Sequence, residues 1–184
     1  MLTPTNTEAY LASFANRVLQ QAQLELSAYR TEDGKRRRID SSGALRRSLP
    51  GSYSIKVMPN SISLKFFEQN ELWKTYGYVI NQGRLPGTMP PTDAIKRWMK
   101  QKPLRLRDLK TGRFINKTEA KINSVAFAIA KKIKEKGTKA TYFFSTPFRL
   151  AFETLPPELG QAYALDVADF LRFTLDDSKK PNKK

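Results

Sequence analysis

Residues 52–67 read SYSIKVMPNSISLKFF, two runs that alternate apolar and polar residues on either side of Pro59-Asn60. Strict alternation sends successive side chains to opposite faces of a strand. Folding the two runs together sets Tyr53, Ile55 and Val57 opposite Ile62, Leu64 and Phe66. The stretch is therefore expected to be a β-hairpin with one buried face. The flanking sequence is mostly of helical period, which makes the expected class α+β: a long N-terminal helix and further helices packed on a small, mainly antiparallel β-sheet.

Upstream, Thr5-Asn6-Thr7-Glu8 has the form of a capping box, in which the Thr5 hydroxyl and Glu8 carboxylate serve the first free amides. Leu11, Phe14, Ala15, Val18, Ala22, Leu26 and Tyr29 recur at three- and four-residue steps. This spacing predicts one amphipathic helix from about Asn6 to Tyr29. The polar, glycine-punctuated TEDGKRRRIDSSG that follows reads as a loop.

Downstream, Leu72 to Asn81 is aromatic-rich and fits a short helix or an irregular strand. QGRLPGTMPP is a loop, and Thr92 caps a short helix with Ile95, Trp98 and Met99 on one side. Leu104 to Arg107 alternates, and Lys110-Thr111-Gly112-Arg113 turns the chain toward Phe114-Ile115, so a second, exposed hairpin is expected there. Asn116 and Glu119 begin a helix with the apolar stripe Ile122, Val125, Ala126, Ile129 and Ile133, and Gly137 is placed to end it. Tyr142 to Phe144 has strand character, and Thr146-Pro147 opens a helical turn. A last helix, about Pro157 to Thr174, carries Leu159, Ala162, Tyr163, Val167, Phe170 and Leu171. Residues 1–175 are expected to form a single domain and 176–184, DDSKKPNKK, a charged disordered tail.

The chain of 184 residues contains no cysteine and no histidine. Disulfides, thiolate nucleophiles, Cys/His zinc sites and histidine acid–base chemistry are thereby excluded. Carboxylate-held magnesium, a Ser–Lys pair or tyrosine would remain. Asp166 and Asp169 share one face of the last helix, but two carboxylates are too few to hold a hard cation, and a helix-surface role is expected of them. Ser145 and Lys139 lack the spacing of a nucleophile pair, and no phosphate-binding loop, dinucleotide fingerprint or nucleophile elbow is present. No catalytic residue, metal site or cofactor is expected. MLTPTNTEAY shows no secretory signal, and no apolar run approaches a membrane span, so a soluble chain is expected.

The formal charge of +16 is segregated. Between Lys96 and Lys139, fifteen basic residues face only Asp108, Glu119 and Glu135, whereas acids outweigh bases around Glu153, Glu158, Asp166 and Asp169. Such a field favours polyanions or acidic neighbouring subunits. Lys35, Arg36, Arg37 and Arg38 either grip phosphates or belong to a solvated loop. Lys131, Lys132, Lys134 and Lys136 read as the wet face of a helix. Phe66, Phe67, Trp73, Tyr76, Tyr78 and Trp98 fit core packing better than base stacking. In residues 83–91, GRLPGTMPP, two glycines and three prolines hold a shaped loop with Leu85 and Met89 as apolar contacts, either a docking element or a buried connector.

SSGALRRSL at 41–49, the hairpin, and YGYVINQGRLPGTMPPTDAIKRWMKQK at 76–102 resemble the tail-completion or neck (head–tail joining, minor tail) proteins of tailed bacteriophages. LKTGRF at 109–114, VAFAIAKKIKEKGTKAT at 125–141 and YFFSTPFRLAF at 142–152 follow in the matching order, so the resemblance spans about Ser41 to Leu171. It implies a non-enzymatic virion subunit that forms a homo-oligomeric ring at the portal or connector–tail junction, docks the tail and surrounds the DNA path. Its implied partners are itself, portal or connector and tail proteins, and genomic DNA, with no membrane; it would reside in the host cytoplasm before assembly. The basic residues expected to face DNA or a partner are Lys35, Arg36, Arg37, Arg38, Arg46, Arg47, Arg105, Arg107 and Arg113, and the docking loop is Arg84, Leu85, Pro86 and Met89. The alternative is a free-standing basic nucleic-acid-binding protein.

Overall fold

The computed structural model describes residues 4–27, 42–58, 61–101, 112–114, 116 and 118–178. Along the chain these form helix α1 (Thr5–Ser27), α2 (Ala44–Ser48), strands β1 (Tyr53–Met58) and β2 (Ser61–Phe66), and a π-helical turn (Trp73–Gly77) running into α3 (Tyr78–Gln82). Helices α4 (Thr92–Gln101), α5 (Glu119–Lys136), α6 (Ser145–Phe152) and α7 (Leu155–Ser178) follow. The arrangement is α+β, with a long first helix and a two-stranded antiparallel sheet.

Helix α1 is the hub. It buries Leu11, Phe14, Ala15, Val18, Leu19, Ala22 and Leu26 along one stripe, the predicted one with Leu19 added. Removing each large apolar side chain from water contributes about 1.5–3 kcal/mol, which is why α2, the hairpin, α6 and α7 all gather on α1. Leu45 and Leu49 of the α2 region, Phe67 and Phe143 complete the central cluster. Trp73 stacks on Phe67 with ring centroids 3.8 Å apart, and Phe66 meets both Phe144 and Phe148 edge to face. These aromatics are core, as expected; Tyr76 and Tyr78 stay exposed.

The hairpin register is Tyr53↔Phe66, Ile55↔Leu64 and Val57↔Ile62, the pairing the alternation requires. Its turn, Pro59-Asn60, lies outside the described residues. The apolar face is covered only at its base: Val57, near the tip, is exposed, as is Met58 beside it on the other face. A hairpin of two strands is marginal without packing on that face. The uncovered half borders the groove described below.

Two segments depart from expectation for identifiable reasons. Leu72 to Asn81, open between helix and strand, is helical because Asn70 accepts the Trp73 amide at 3.0 Å and because Gly77 lets the turn close on Leu45. A Cβ at Gly77 would lie 3.0 Å from Leu45 Cδ1 and 2.9 Å from Trp73 Cε3. Tyr142 to Phe144 is not a strand. The amides of Tyr142 and Phe144 are taken by the Asn81 carbonyl and side chain, at 3.0 Å each, which bends the chain through a left-handed Tyr142 (φ 52°) into α6. Helix α6 starts at Ser145, one residue before the expected cap.

Helix α7 runs to Ser178, three residues into the segment expected to be a disordered tail. Helix α5 ends at Gly137 as predicted, the glycine amide donating to the Ile133 carbonyl at 2.8 Å. The alternation at Leu104–Arg107 and the turn at Lys110-Thr111 fall outside the described residues, as do Tyr29 and residues 30–41.

Candidate functional site

Four polar residues are buried among those described: Thr7, Asn70, Asn81 and Asp166. Each ties two elements together. Asp166, 2 % exposed, accepts the amides of Asn6 (2.7 Å) and Thr7 (2.9 Å) and the Thr7 hydroxyl (2.5 Å). A carboxylate on α7 thus caps α1 from 160 positions away, taking two of the four donors that a helix start leaves free. Its charge also complements the positive end of the helix dipole. Burial would raise the Asp166 carboxyl, but the hydroxyl and amide donors outweigh it and hold the group below its ordinary value. The helix-surface role expected of Asp166 is therefore wrong: the residue sits seven after Leu159 and four after Ala162, in phase with the inward stripe. Asp169 does lie at the surface, accepting from the Asn6 side-chain nitrogen Nδ2 at 3.2 Å and lying 3.6 Å from Arg172.

About two turns back along α7, Glu158 receives the Tyr10 hydroxyl at 2.8 Å and the Arg17 guanidinium at 3.3 Å. Those two donors, Tyr10 first, hold Glu158 below the usual carboxylate range. Burial, with Glu158 beside it, raises the Tyr10 phenol. Glu158 and Asp166 of α7 are thus both engaged with α1 of the same chain.

Asn81, 1 % exposed, does for α6 what Asp166 does for α1. Its side-chain oxygen accepts the Phe144 and Ser145 amides at 3.0 and 3.2 Å, and its nitrogen donates to Ser145 Oγ at 2.6 Å. These polar pins fix the walls of an open groove of about 1230 Å³ between the start of α1, the hairpin tip and the α6–α7 corner. Phe14, Val57, Met58, Ile62, Phe152 and Leu159 line it. None of its described lining residues is charged, although 27 % of the chain is.

A second surface is basic. Helices α4 and α5 pack on one another through Met99, Ala126 and Ala130 at their buried sides, and none of the other described helices or strands covers them to a similar extent. Lys121, Lys132, Lys134 and Lys136 are exposed on α5, and Arg97 and Lys100 on α4. The pair is strapped to the body where Arg84 and Thr138 exchange backbone hydrogen bonds of 3.0 and 2.8 Å and the Gly87 amide donates to the Lys134 carbonyl. Gly137 allows this approach: its φ is 69°, and a Cβ there would fall 1.9 Å from the Arg84 carbonyl oxygen. Gly137→Ala is expected to release the strap and cost about 2 kcal/mol or more, combining a left-handed alanine with a displaced bridge. Hydrogen exchange at the Arg84 and Thr138 amides checks it.

The loop expected to dock is held by this strap. Leu85 is 85 % exposed at its apex, Pro86 is exposed, Met89 is half-buried, and Arg84 braces the loop by donating to the Thr88 carbonyl at 2.8 Å. Of the basic candidates, Lys35, Arg36, Arg37, Arg38, Arg105 and Arg107 lie outside the described residues. Arg46 is engaged with α1, its guanidinium donating to Ser27 Oγ at 3.2 Å and its carbonyl accepting from Gln23. Arg47 folds back to the Ser42 carbonyl at 3.2 Å, and Arg113 is exposed between α4 and α5. Arg46 and Arg47 thus belong to α2 and Arg113 to a separate segment. The lysines of α5, read from sequence only as a wet face, are the basic groups that one element does bring together.

Among the described residues no group of three or more carboxylates is placed to hold a metal ion, and no helix is long and apolar enough to cross a membrane. Comparison with known proteins returns no matching family model, no matching curated protein and no matching solved structure.

Proposed function

We propose that the chain is a non-enzymatic structural subunit of a tailed-phage virion, built as a ring into the junction between portal or connector and tail, where it docks the tail and surrounds the DNA path. The observation that carries the reading is the uncharged groove of about 1230 Å³. An open apolar concavity of that size on a strongly charged chain is suited to receive another macromolecule. Its rigid walls, pinned by Asp166 and Asn81, suit a contact that must keep its shape under load. The order of motifs from Ser41 to Leu171 supplies the location in the virion, and the basic α4–α5 pair supplies a surface for DNA.

Mixing the purified chain with a purified portal ring and separating the products by sedimentation tests the docking. Co-migration that is abolished by Val57→Glu supports it; independent migration of the native chain counts against it.

The exposed lysines of α5 favour one alternative, a free-standing nucleic-acid-binding protein. Reversing Lys132, Lys134 and Lys136 to glutamate is expected to leave stability within about 0.5 kcal/mol. For every lysine–phosphate pairing that the reversal removes, the salt slope of duplex binding should fall by about 1. Fluorescence anisotropy at several salt concentrations measures the slope, and thermal unfolding the stability. A native slope of several units in the isolated chain favours the free-standing binder, while weak binding that strengthens only in the assembled ring favours the subunit.

A further inference from the structure

The basic helix pair covers its aliphatic side chains and leaves aromatic rings in the open. Ile95 and Met99 of α4 and Ile122, Val125, Ile129 and Ile133 of α5 are all buried or half-buried. Among the described residues between 92 and 136, the large apolar side chains left exposed are Phe114 and Phe127, each 55 % accessible. The rest of the molecule is less selective, with Leu24, Val57, Leu72 and Leu85 exposed as well. No other aromatic ring among the described residues packs on Phe127. A ring kept in water on a strongly cationic helix is poorly explained as core.

Helical geometry sets cations beside that ring. Residues 120, 123, 124, 127, 131 and 134 follow one another at steps of three and four and so share one stripe of α5. After Phe127 on this stripe come Lys131 and Lys134, and before it come Ala120, Asn123 and Ser124, all exposed. The small, uncharged residues leave the ring open to approach, and neighbours on the stripe have Cβ atoms about 5–6 Å apart. Lys131 also meets Glu135 at 3.9 Å, an exposed pair that a phosphate can replace. An aromatic ring on which a base stacks, set among cations that track the phosphates, is how proteins hold single strands. Inside a duplex the base faces are already stacked, and opening a step costs free energy. An acidic protein, the other partner such a field suits, would be met equally well by the aliphatic side chains that the pair keeps covered.

We infer that the outer face of α5 is a site for single-stranded nucleic acid, in which a base stacks on Phe127 while Lys131 and Lys134 hold phosphates of the adjoining nucleotides. This deepens the reading of the α4–α5 pair as a surface for DNA and rests on it. Lysines alone would favour a duplex, whose denser charge releases more counterions for each phosphate met. The ring is what tells the two forms apart.

Fluorescence anisotropy of the full chain at about 50 mM salt, where phosphate contacts are strong, tests it. The probes are an oligothymidylate and an oligouridylate of about 20 nucleotides, longer than a site of ~4–16, and a duplex of the same length. The native chain is expected to bind a single strand more tightly than the duplex, and the tighter of the two strands names DNA or RNA as the source. Phe127→Ala is expected to weaken single-strand binding roughly 5- to 150-fold and to change duplex binding by less than about twofold. Phe127→Leu, which keeps apolar bulk without a ring, should behave as alanine does, and Phe127→Trp as the native chain. Lys134→Ala should weaken both forms. Because the position is exposed, the thermal midpoints of all these variants should match the native one, which shows them folded. A duplex preferred to both strands, equal losses for strand and duplex with Phe127→Ala, or native binding by Phe127→Leu would each overturn the inference. So would polyglutamate binding that Phe127→Ala weakens as much, since that marks an acidic-protein site. Duplex binding with no effect of Phe127 would remove this inference alone, whereas binding to neither form would remove the nucleic-acid reading of α4–α5 with it. Phe127-dependent strand binding by a chain absent from virus particles would leave the site standing and remove the virion reading.

Discussion

Asp166→Ala is expected to lower the unfolding free energy by about 3 kcal/mol. The change removes one buried carboxylate but strands three donors: the Asn6 and Thr7 amides and the Thr7 hydroxyl. A hydrogen bond to a charged group contributes about 1.5–3 kcal/mol, and a stranded buried donor costs about 1–3 kcal/mol; water reaching the half-open helix start offsets part of the sum. At about 3 °C per kcal/mol for a chain of this size, the midpoint should fall by roughly 9 °C. Because folding depresses the Asp166 carboxyl, its contribution is complete above the unfolded value of about 3.9 and is lost as pH falls through the folded value. Glu158, depressed by Tyr10 and Arg17, acts in the same direction. Native stability should therefore decline below about pH 4, and Asp166→Asn should flatten that decline. Thermal unfolding of both proteins between about pH 7 and pH 3 measures the difference; equal slopes would show that the carboxylate charge is immaterial to the cap.

Asn81→Leu is expected to cost nearly as much, about 2–3 kcal/mol. Leucine keeps the number and branching of the heavy atoms and is somewhat bulkier, so none of the loss comes from a cavity. What disappears is the acceptor for the Phe144 and Ser145 amides and the donor to Ser145. Without it the bend at Tyr142, whose left-handed backbone is held by the Asn81 carbonyl, has less to oppose its strain. Phe144 and Phe148 would shift with α6, and they pack on Phe66 at the base of the hairpin. Hydrogen exchange at the Phe144 and Ser145 amides, with chemical denaturation, reports the effect. Asn81→Asp, which keeps the acceptor, should restore much of the protection.

The helices and the hairpin register were legible because they rest on local periodicity. The steps from Leu11 to Leu26 and the alternation from Tyr53 to Phe66 each declare a face, and burial rewards that face wherever the rest of the chain lies. The pins were not legible as such, because a cap that acts across 160 positions leaves no spacing to recognise. Asp166 had one visible sign, its place in phase with Leu159 and Ala162. Asn81 had none that separates it from an ordinary polar residue next to Ile80. Tyr142 to Phe144 misled for a related reason: strand-type side chains say nothing of which acceptor their amides will find. The groove was hidden further still, since it is the space between three elements and is written in none of them. The exposed Val57 looks from sequence like the rest of the buried hairpin face.

The basic surface was legible in amount and not in place. Composition showed that Lys96 to Lys139 is strongly positive, but it took the packing of α4 on α5 to turn that excess into an outward face. Arg46 and Arg47, prominent in the sequence, are instead occupied with Ser27 and Ser42.

Whether these surfaces meet other macromolecules in a finished particle is the central question. Imaging virus particles made with the native chain, at a resolution that traces helices, answers it most directly. The expected density is a multi-copy ring between portal and tail, with the Val57–Met58 groove filled and the α4–α5 helices facing the DNA path. Particles that lack the chain, or in which its groove faces open solvent, would contradict it.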